Sequence, residues 1–510
     1  MMSPEDRRKL GLLLFLLLPT LFWFEAVRRT EVLPPNKGPA LWELMKKTPD
    51  KPILLMALIG GIVVAILLIW LMNELGKSDF GGAHFKRFLR GTKLVSKAKL
   101  KRMTREKKAE QVTVGGIPIP TKLENLHIAI QGSTGGGKSV AIRELLFSAL
   151  MRGDRVIVVD PNGDLYSKFG RAGDVVLNPY DARTQGWSFF NEIRNDYDFK
   201  RYALSVVQRG KTHDEEEWRG YGRLLLTETA RKLTLMGKPS VQDLFRWTTI
   251  APPKDLKLFL EGTLAESLFV GAEKALASAR FVLSTTLPEH VTMPAGDFSL
   301  RRWLEDPKGG NLYITWREDM VEGLRPLVSA WVDVLCTSIL SLPEDRNRRL
   351  WAFLDELPSL EKLPSLIDAA TKGRKMGLRL VAAFQSTAQL DDIYGKDEAQ
   401  ILRSCFRSLV VLGGAKTDPK TCEDMSQALG EHEVERDKYS RNSSSKGSST
   451  NRSPERNRER VVMPSEIAAL PELTGYVALA GSLPISRIKL EWVDFANRLP
   501  AFQERRFGHA

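Results

Sequence analysis

The chain begins with two long apolar runs and then changes to short apolar runs separated by polar segments. The first run covers about residues 10–27 and follows a basic cluster, and the second covers residues 53–72 without a charged side chain. Twenty helical residues extend about 30 Å, the thickness of a bilayer core. We therefore predict a transmembrane anchor in residues 1–75, with two spanning helices.

The first run has an alternative interpretation as a cleavable signal peptide, because it combines a basic start with a short apolar centre. No small-x-small cleavage site follows it, since the chain continues as PTLFWFEAVRR. Trp23 and Trp70 suit the interfacial positions of membrane helices. We therefore favour an uncleaved first span, which places both chain ends on the same side of the membrane.

Beyond the anchor, short apolar runs typical of buried strands alternate with helical patterns. These runs cover residues 126–129, 155–161, 311–317, 349–357, 378–386, 407–414 and 475–481. Alternating strands and helices favour a parallel sheet with helices on both faces, the α/β class. Residues 183–297 are helical in pattern and interrupt this alternation. We therefore predict a nucleotide-binding domain in residues 76–182 and 298–510, with an inserted all-α domain in residues 183–297.

Two polar segments stand out from this pattern. The acidic run 214–217 begins a strong helical pattern, where negative charge is favoured by the helix dipole. Residues 440–460 (SRNSSSKGSSTNRSPERNRER) are poor in apolar residues, and we interpret them as a disordered loop whose basic residues are an alternative contact for DNA.

The sequence QGSTGGGKSV follows the first of these strands and precedes a helical pattern, which is the context that a P-loop requires. Glycines let backbone N–H groups close around phosphate oxygens. Lys138 is expected to reach the β- and γ-phosphates of ATP, and the Ser139 hydroxyl to bind Mg²⁺. The predicted nucleotide-binding residues are Gly132, Ser133, Thr134, Gly135, Gly136, Gly137, Lys138 and Ser139.

A P-loop needs an acidic partner on another strand, and the apolar run LWAFL leads directly into Asp355 and Glu356. We expect Asp355 to hold Mg²⁺ and Glu356 to orient or deprotonate the attacking water. The alternative is a strand that ends in a solvated acidic turn.

Two further candidates follow. Gln385 ends the run LRLVAAF, where a polar side chain can sense the γ-phosphate, although Gln385 and Ser386 would equally suit a helix cap. Arg374, in TKGRKMG, would suit an arginine finger that reaches the ATP of a neighbouring subunit, whereas basic residues at a helix end are also favoured by the dipole alone.

Composition adds a charge argument. The net charge is +13, and twelve lysines and arginines fall between Lys77 and Lys108, just after the second span. That excess indicates a cytoplasmic side and an anionic partner, either membrane lipid or DNA. The loop between the spans is also basic, so orientation depends on ATP being cytoplasmic. The three cysteines form no CxxC pair and the six histidines have no metal-ligand spacing, which argues against disulfides and a structural metal.

In order along the chain, two spans, GIPIP, GSTGGGKS, VVDPNGDLY, an all-α insertion, FLDELPSL, TKGRKMGL and AAFQSTAQL resemble the type IV coupling proteins of bacterial conjugation. The resemblance covers essentially the whole chain. It implies a RecA-like ATPase core, a homo-hexameric ring with ATP sites between subunits, and a two-pass anchor in the bacterial inner membrane with the N-terminus and ATPase domain in the cytoplasm. It also implies a basic residue, Lys420, near the subunit boundary.

The resemblance implies a DNA-dependent ATPase that recruits relaxase-bound DNA and drives it through a type IV secretion system, together with the inner-membrane components of that system. An alternative is an ATP-binding docking receptor for secreted proteins that pumps no DNA. A third, a chromosome-segregating translocase, usually carries more spans and a winged-helix tail, and neither is recognisable in the sequence.

Overall fold

The computed structural model describes residues 4–30, 42, 44–74, 85, 87–210, 212–269, 273–360, 362–363, 365–444 and 447–506. Two residues of the basic stretch, Lys77 and Lys86, lie outside the described residues. The chain divides into two compact units. One consists of Met1–Gly91 and Glu431–Glu459, and the other of Thr92–Gly430 and Arg460–Ala510.

The strands of the described residues are short, apart from two of fourteen residues. In chain order they are β1 (Arg87–Gly91), β2 (Leu94–Val95), β3 (Thr113–Val114), β4 (Ile117–Pro118), β5 (Ile128–Gln131), β6 (Arg155–Pro161), β7 (Val175–Leu177), β8 (Leu312–Trp316), β9 (Leu350–Leu354), β10 (Leu378–Phe384), β11 (Ser408–Leu412), β12 (Glu431–Ser444), β13 (Gly447–Arg460), β14 (Thr474–Ala478) and β15 (Ile485–Lys489).

The helices range from single turns to 27 residues. In chain order they are α1 (Pro4–Thr30), α2 (Pro52–Glu74), α3 (Lys97–Thr104), α4 (Thr121–Glu124), α5 (Lys138–Met151), α6 (Asp164–Phe169), α7 (Asp196–Val206), α8 (His213–Leu235), α9 (Val241–Phe245), α10 (Pro253–Phe259), α11 (Glu273–Thr286), α12 (Pro288–Thr292), α13 (Leu300–Glu305), α14 (Val321–Leu340), α15 (Leu366–Lys372), α16 (Thr387–Tyr394), α17 (Lys396–Cys405), α18 (Pro419–Leu429) and α19 (Pro464–Ala468). Short 3₁₀ or π turns cover Thr48–Asp50, Phe189–Glu192, Arg246–Ile250, Leu264–Phe269, Glu318–Met320, Leu357–Ser359 and Gly373–Met376.

The first unit contains the two apolar runs, each folded as one helix. Leu10–Thr30 and Pro52–Leu71 are long and apolar enough to cross a membrane. The two helices pack together, and an added Cβ at Gly61 would lie 2.6 Å from the Cα of Pro19, so only glycine permits this close approach. A third candidate, Glu318–Leu340, is 72% buried. Its apolar composition is therefore explained by packing inside the second unit.

The prediction of a disordered loop is wrong for the described residues of this segment, 440–444 and 447–460, because they belong to strands β12 and β13. The two strands lie side by side in a three-stranded sheet with β1 at its edge. Opposite charges face each other across the hairpin: Arg436 contacts Glu459 at 2.6 Å, and Lys438 contacts Glu455 at 3.3 Å. Backbone pairing and cross-strand ion pairs do not require apolar residues, which explains why a composition argument missed this ribbon.

The second unit is built on a ten-stranded sheet in the order β2-β15-β14-β11-β5-β10-β9-β6-β8-β7. The strands from β11 to β7 are all parallel. β14 joins antiparallel to β11, and β15 antiparallel to β14. All seven predicted runs form strands of this sheet, which confirms the α/β class. The sequence pattern did not indicate β2, β7 and β15.

Successive side chains of each strand point to opposite faces of the sheet, and each face is covered by its own hydrophobic core. In β6, Val156 and Val158 join the core beneath α5, whereas Ile157 and Val159 join the core formed with the helices between β7 and β8. Those helices, α7 to α13, share one hydrophobic core with the sheet. The description of residues 183–297 as a separate all-α domain stays a prediction.

Candidate nucleotide-binding site

The glycine-rich loop leaves the carboxyl end of β5 and enters the N-terminus of α5. Gly137 has a φ of +107° directly before the helix, and a Cβ there would lie 2.9 Å from the Leu473 side chain. Gly135 also has a positive φ, of +78°, and an added Cβ would have nothing within 4 Å. Only glycine adopts this path without strain, and the loop keeps open space beside the N-terminus of α5, where anions are favoured.

The neighbouring strand supports the first half of the loop. The backbone N–H and the hydroxyl of Ser133 both donate to the carbonyl oxygen of Gly413, at 2.9 and 2.8 Å. An added Cβ at Gly132 would lie 2.8 Å from the Cβ of Leu412. The loop is therefore fixed by the end of β11, which is adjacent to β5 in the sheet.

Lys138, the first residue of α5, lies between the loop and two carboxylates. Its Nζ donates to the carbonyl oxygens of Gly132 and Ser133, at 3.0 and 3.3 Å. Burial lowers the pKa of Lys138, and the charges of Glu356 and Asp355 oppose this shift. The structure thus brings the predicted P-loop lysine and the predicted acidic pair together.

Asp355 and Glu356 follow β9, two strands away from β5. Neighbouring strands are about 4.8 Å apart, so the ends of β5 and β9, with β10 between them, are about 10 Å apart. Burial raises the pKa of Asp355 to about 6, although the Lys138 ammonium opposes the shift. Burial also raises the pKa of Glu356, again against Lys138. A half-buried carboxylate of raised pKa at a strand end has the properties expected of a proton acceptor.

Gln385 connects the loop to this acidic pair. It follows β10, the intervening strand, and its Oε1 accepts a hydrogen bond of 3.2 Å from the Thr134 hydroxyl. Its side chain also hydrogen-bonds Glu356, which stabilises the ionised carboxylate. The next residue, Ser386, caps α16. The sequence left a sensor and a helix cap as alternatives for this pair; Ser386 is the cap, and the sensor role of Gln385 stays a prediction.

The donor set suits a magnesium ion shared with phosphates. The described ranges contain no group of three or more His, Cys, Asp or Glu side chains able to hold a metal alone. Mg²⁺ bound with nucleotides usually takes only one or two protein ligands and completes its shell with phosphate oxygens and water. The exposed Ser139 hydroxyl at the N-terminus of α5 and the carboxylate of Asp355 match that requirement.

Sequence reasoning missed a buried carboxyl beside this site. Asp160 is the last residue but one of β6 and is fully buried. Its carboxylate accepts hydrogen bonds from the backbone N–H groups of Leu165 and Tyr166, at 3.1 and 2.7 Å. Burial raises its pKa to about 8, partly opposed by these hydrogen bonds. Asp355 lies on the adjacent strand and adds to the shift. The signal available was the same as for Asp355, an apolar strand that ends in an acid.

Arg374 does not join the other site residues of its own chain. It precedes β10, whereas Gln385 follows it, and seven residues of strand extend about 23 Å. Its charge acts on His127, at the amino end of β5. Any contact of Arg374 with a nucleotide therefore requires the site of another copy.

Lys420 is also separate from the loop. It is an exposed residue in the first turn of α18, and within the described part of the chain it makes no hydrogen bond or ion pair with the loop. Its helix packs against α16, where Thr387 hydrogen-bonds Asp424.

Comparison with known proteins supplies independent findings. Residues 111–491 match the family model described as the type IV secretion-system coupling protein DNA-binding domain. The coupling protein TraD of Escherichia coli strain K12 is 30% identical over 475 residues, which are 88% of this chain and 64% of TraD. The chain thus spans less than two thirds of the length of this curated relative.

Two solved structures match more closely. The unbound bacterial conjugative coupling protein TrwBdeltaN70 is 68% identical, with a TM-score of 0.80, over 84% of this chain and 99% of that one. The plasmid coupling protein TrwB in complex with ADP and Mg²⁺ is 67% identical, with a TM-score of 0.79, over 84% of this chain and 100% of that one.

Proposed function

The chain belongs to the family of type IV secretion-system coupling proteins, and we propose that it is a membrane-anchored, DNA-dependent ATPase of bacterial conjugation. In this role it recruits relaxase-bound DNA and drives its transfer through a type IV secretion system. The observation that carries the proposal is the hydrogen-bonded connection from Thr134 through Gln385 to Glu356, with Lys138 beside it. It joins a phosphate-binding loop to a basic carboxylate.

Lys138, Glu356 and Gln385 have different proposed roles in ATP hydrolysis. The loop N–H groups and Lys138 bind the phosphates, with Lys138 moving from the loop carbonyls to the phosphate oxygens. Glu356 orients a water molecule and accepts its proton, which its raised pKa favours. Gln385 holds Glu356 in place and senses the γ-phosphate.

ATP and Mg²⁺ are the proposed ligands, supported by the donor set and by the related TrwB complex with ADP and Mg²⁺. Ser139 and Asp355 would hold the ion, which neutralises phosphate charge when bound. The loop residues Gly132 to Gly137 would surround the phosphates.

The proposed assembly is a homo-hexamer with ATP sites between subunits. The position of Arg374 beyond the far end of β10 supports this arrangement, because the residue is useful to hydrolysis only in a neighbouring subunit's site. Lys420 is proposed near the same boundary. The relaxase and the inner-membrane components of the secretion system are the proposed protein partners.

The two N-terminal helices anchor the chain in a membrane, and we place this anchor in the bacterial inner membrane. Both the N-terminus and the ATPase unit are assigned to the cytoplasm, because ATP is available there. For the basic stretch from Lys77 to Lys108 we propose an anionic partner, either lipid, which we favour, or DNA.

The test is the rate of ATP hydrolysis by the full chain in lipid nanodiscs, with and without DNA at low salt. DNA should raise the rate, and added salt should remove the stimulation, because phosphate contacts depend on counterion release. A Lys138→Ala variant should lose hydrolysis by at least about a hundredfold. A rate that ignores both single- and double-stranded DNA would contradict the DNA-dependent part of the proposal.

The same variant separates the motor from the alternative of a docking receptor for secreted proteins, which no finding favours. A docking receptor without pumping should still support plasmid transfer in cells when it carries Lys138→Ala. A motor should not.

A further inference from the structure

A second cleft lies in the same unit, next to the nucleotide site, and we define it as the relay cleft. Its volume is about 860 Å³, and five segments line it. They are the turn after α7, the first turns of α8, the start of α14, the turn after Glu356 and helix α16 after Gln385. Two walls are therefore the direct chain continuation of residues in the nucleotide site.

The relay cleft carries unpaired positive charge. Of its basic residues, Arg219 is paired with Glu215 at 2.8 Å, and Lys362 with Glu398 at 2.9 Å. Two more guanidinium groups, those of Arg209 and Arg325, are exposed on different walls. Neither makes a hydrogen bond or ion pair with another residue in the described part of the chain. Two free guanidinium groups facing one cleft favour an anionic ligand with several acceptor oxygens.

A buried donor adds a second, independent observation. Gln208 lines the same cleft and is only 3% exposed, yet its Nε2 has no hydrogen-bond partner among the described residues. The backbone around it is fixed, because Arg223 donates to the carbonyl oxygens of Val207 and Gln208 at 3.1 Å. A buried N–H group without an acceptor is unfavourable, and rotation of the Gln208 side chain towards a ligand oxygen in the cleft would remove that cost.

Hydrogen bonds connect the walls to the nucleotide site. On one wall, the N–H and hydroxyl of Ser359 donate to the carbonyl oxygen of Glu356, at 3.0 and 2.7 Å. On the other wall, Gln389 lines the cleft and accepts a hydrogen bond of 3.2 Å from the N–H of Ser386, the neighbour of Gln385. One wall is thus hydrogen-bonded to Glu356, and the other to the neighbour of Gln385.

We propose that the relay cleft binds the phosphate backbone of single-stranded nucleic acid through Arg209, Arg325 and Gln208, and that its occupation sets the positions of Glu356 and Gln385. The proposal rests on the proposed DNA-dependent function and names the contact through which DNA acts. The volume of the cleft, about 860 Å³, is that of a small-molecule pocket, which favours a short segment of one strand over a duplex. Apolar side chains such as Pro358 and Ile393 give the bases a surface beside the phosphates.

Equilibrium binding of a labelled oligothymidylate to the full chain in nanodiscs, without ATP, tests the cleft separately from hydrolysis. Each phosphate contact contributes about 0.7 to the slope of log affinity against log salt for single strands. The double variant Arg209→Gln/Arg325→Gln should therefore lower that slope by about 1.4 and weaken binding about tenfold or more at low salt. It should also lose DNA stimulation of the ATPase, with the basal rate unchanged.

Gln208→Leu gives an orthogonal result, because it removes the donor without a change of charge. Oligothymidylate binding should weaken with an unchanged salt slope, while the melting temperature stays the same or rises. The matched control is Arg246→Gln/Arg346→Gln, two exposed arginines of the same unit outside the cleft. It should leave the slope and the stimulation near wild type.

Equal behaviour of the cleft and control doubles would overturn the proposal. The proposal would also be overturned if a labelled acidic peptide bound in a way that depends on Arg209 and Arg325 while oligothymidylate binding did not, since that result assigns the cleft to a protein. If DNA fails to stimulate the wild-type ATPase but oligothymidylate binds with the predicted cleft dependence, the DNA-dependent function fails and the binding site stands.

Discussion

Replacement of Glu356 by glutamine isolates the proton-accepting role in the nucleotide site. The substitution keeps the size of the side chain and an acceptor for the Gln385 hydrogen bond, and it removes only the basic oxygen. A positioned general base contributes about 10²- to 10⁴-fold to a rate, or about 3–5 kcal/mol of transition-state stabilisation. Glu356→Gln should therefore lower the rate of ATP hydrolysis by at least about a hundredfold.

Nucleotide binding should survive this change. Lys138 and the loop remain, and removal of a negative charge beside the triphosphate reduces repulsion, so affinity for ATP should be equal or higher. The matched control is Glu318→Gln, because the exposed carboxylate of Glu318 acts electrostatically on Glu356. The control should keep nearly the full rate.

The assay is steady-state phosphate release, combined with the affinity for a fluorescent ATP analogue measured on the same preparation. A Glu356→Gln variant that retains more than about a tenth of the wild-type rate at saturating ATP would refute the reasoning. A variant that loses hydrolysis together with nucleotide affinity would also contradict it, because the residue would then serve binding.

Three further predictions concern Asp355, Arg152 and Gly137. Burial raises the pKa of Asp355 to about 6, so protonation stabilises the nucleotide-free protein below that pH, whereas Mg²⁺ needs the ionised form. The rise in melting temperature with Mg²⁺ and ADP should therefore shrink as pH falls from about 7.5 to about 5.5, and Asp355→Asn should abolish this pH dependence. Arg152 pairs with buried Glu124, so Arg152→Met should lower the free energy of unfolding by about 3–5 kcal/mol in urea titrations, and an unchanged midpoint would contradict a buried ion pair at this position. Gly137→Val should abolish ADP binding in calorimetry because its Cβ, 2.9 Å from the Leu473 side chain, would displace the loop, whereas Gly153→Val, which has a comparable backbone strain at a φ of +80° outside the loop, should retain ADP binding.

Much of the fold could be predicted from local patterns. Apolar runs of strand length, the loop from Gly132 to Gly137 and two long apolar spans each leave their full signal within a few neighbouring residues. Lys138, Asp355 and Glu356 could be proposed as one site because the carboxyl ends of parallel strands share one edge of a sheet. The structure brings them together there.

Other features needed the folded chain. The ribbon of β12 and β13 was mistaken for disorder because its stability comes from pairing between strands, which composition does not record. Asp160 was not singled out because an acid at a strand end is common, and only its burial beside Asp355 distinguishes it.

The sequence by itself determined the chemistry of this protein: a membrane anchor, a phosphate-binding loop, an acidic pair and an excess of positive charge. The tertiary structure decided which of these groups meet. It inserted β10 between the loop strand and the acidic strand, so that Gln385 contacts both Thr134 and Glu356, and it placed Arg374 about 23 Å away at the other end of that strand. Residue type follows from the local sequence, whereas strand order depends on contacts between segments 195 and 253 residues apart, which no local pattern encodes.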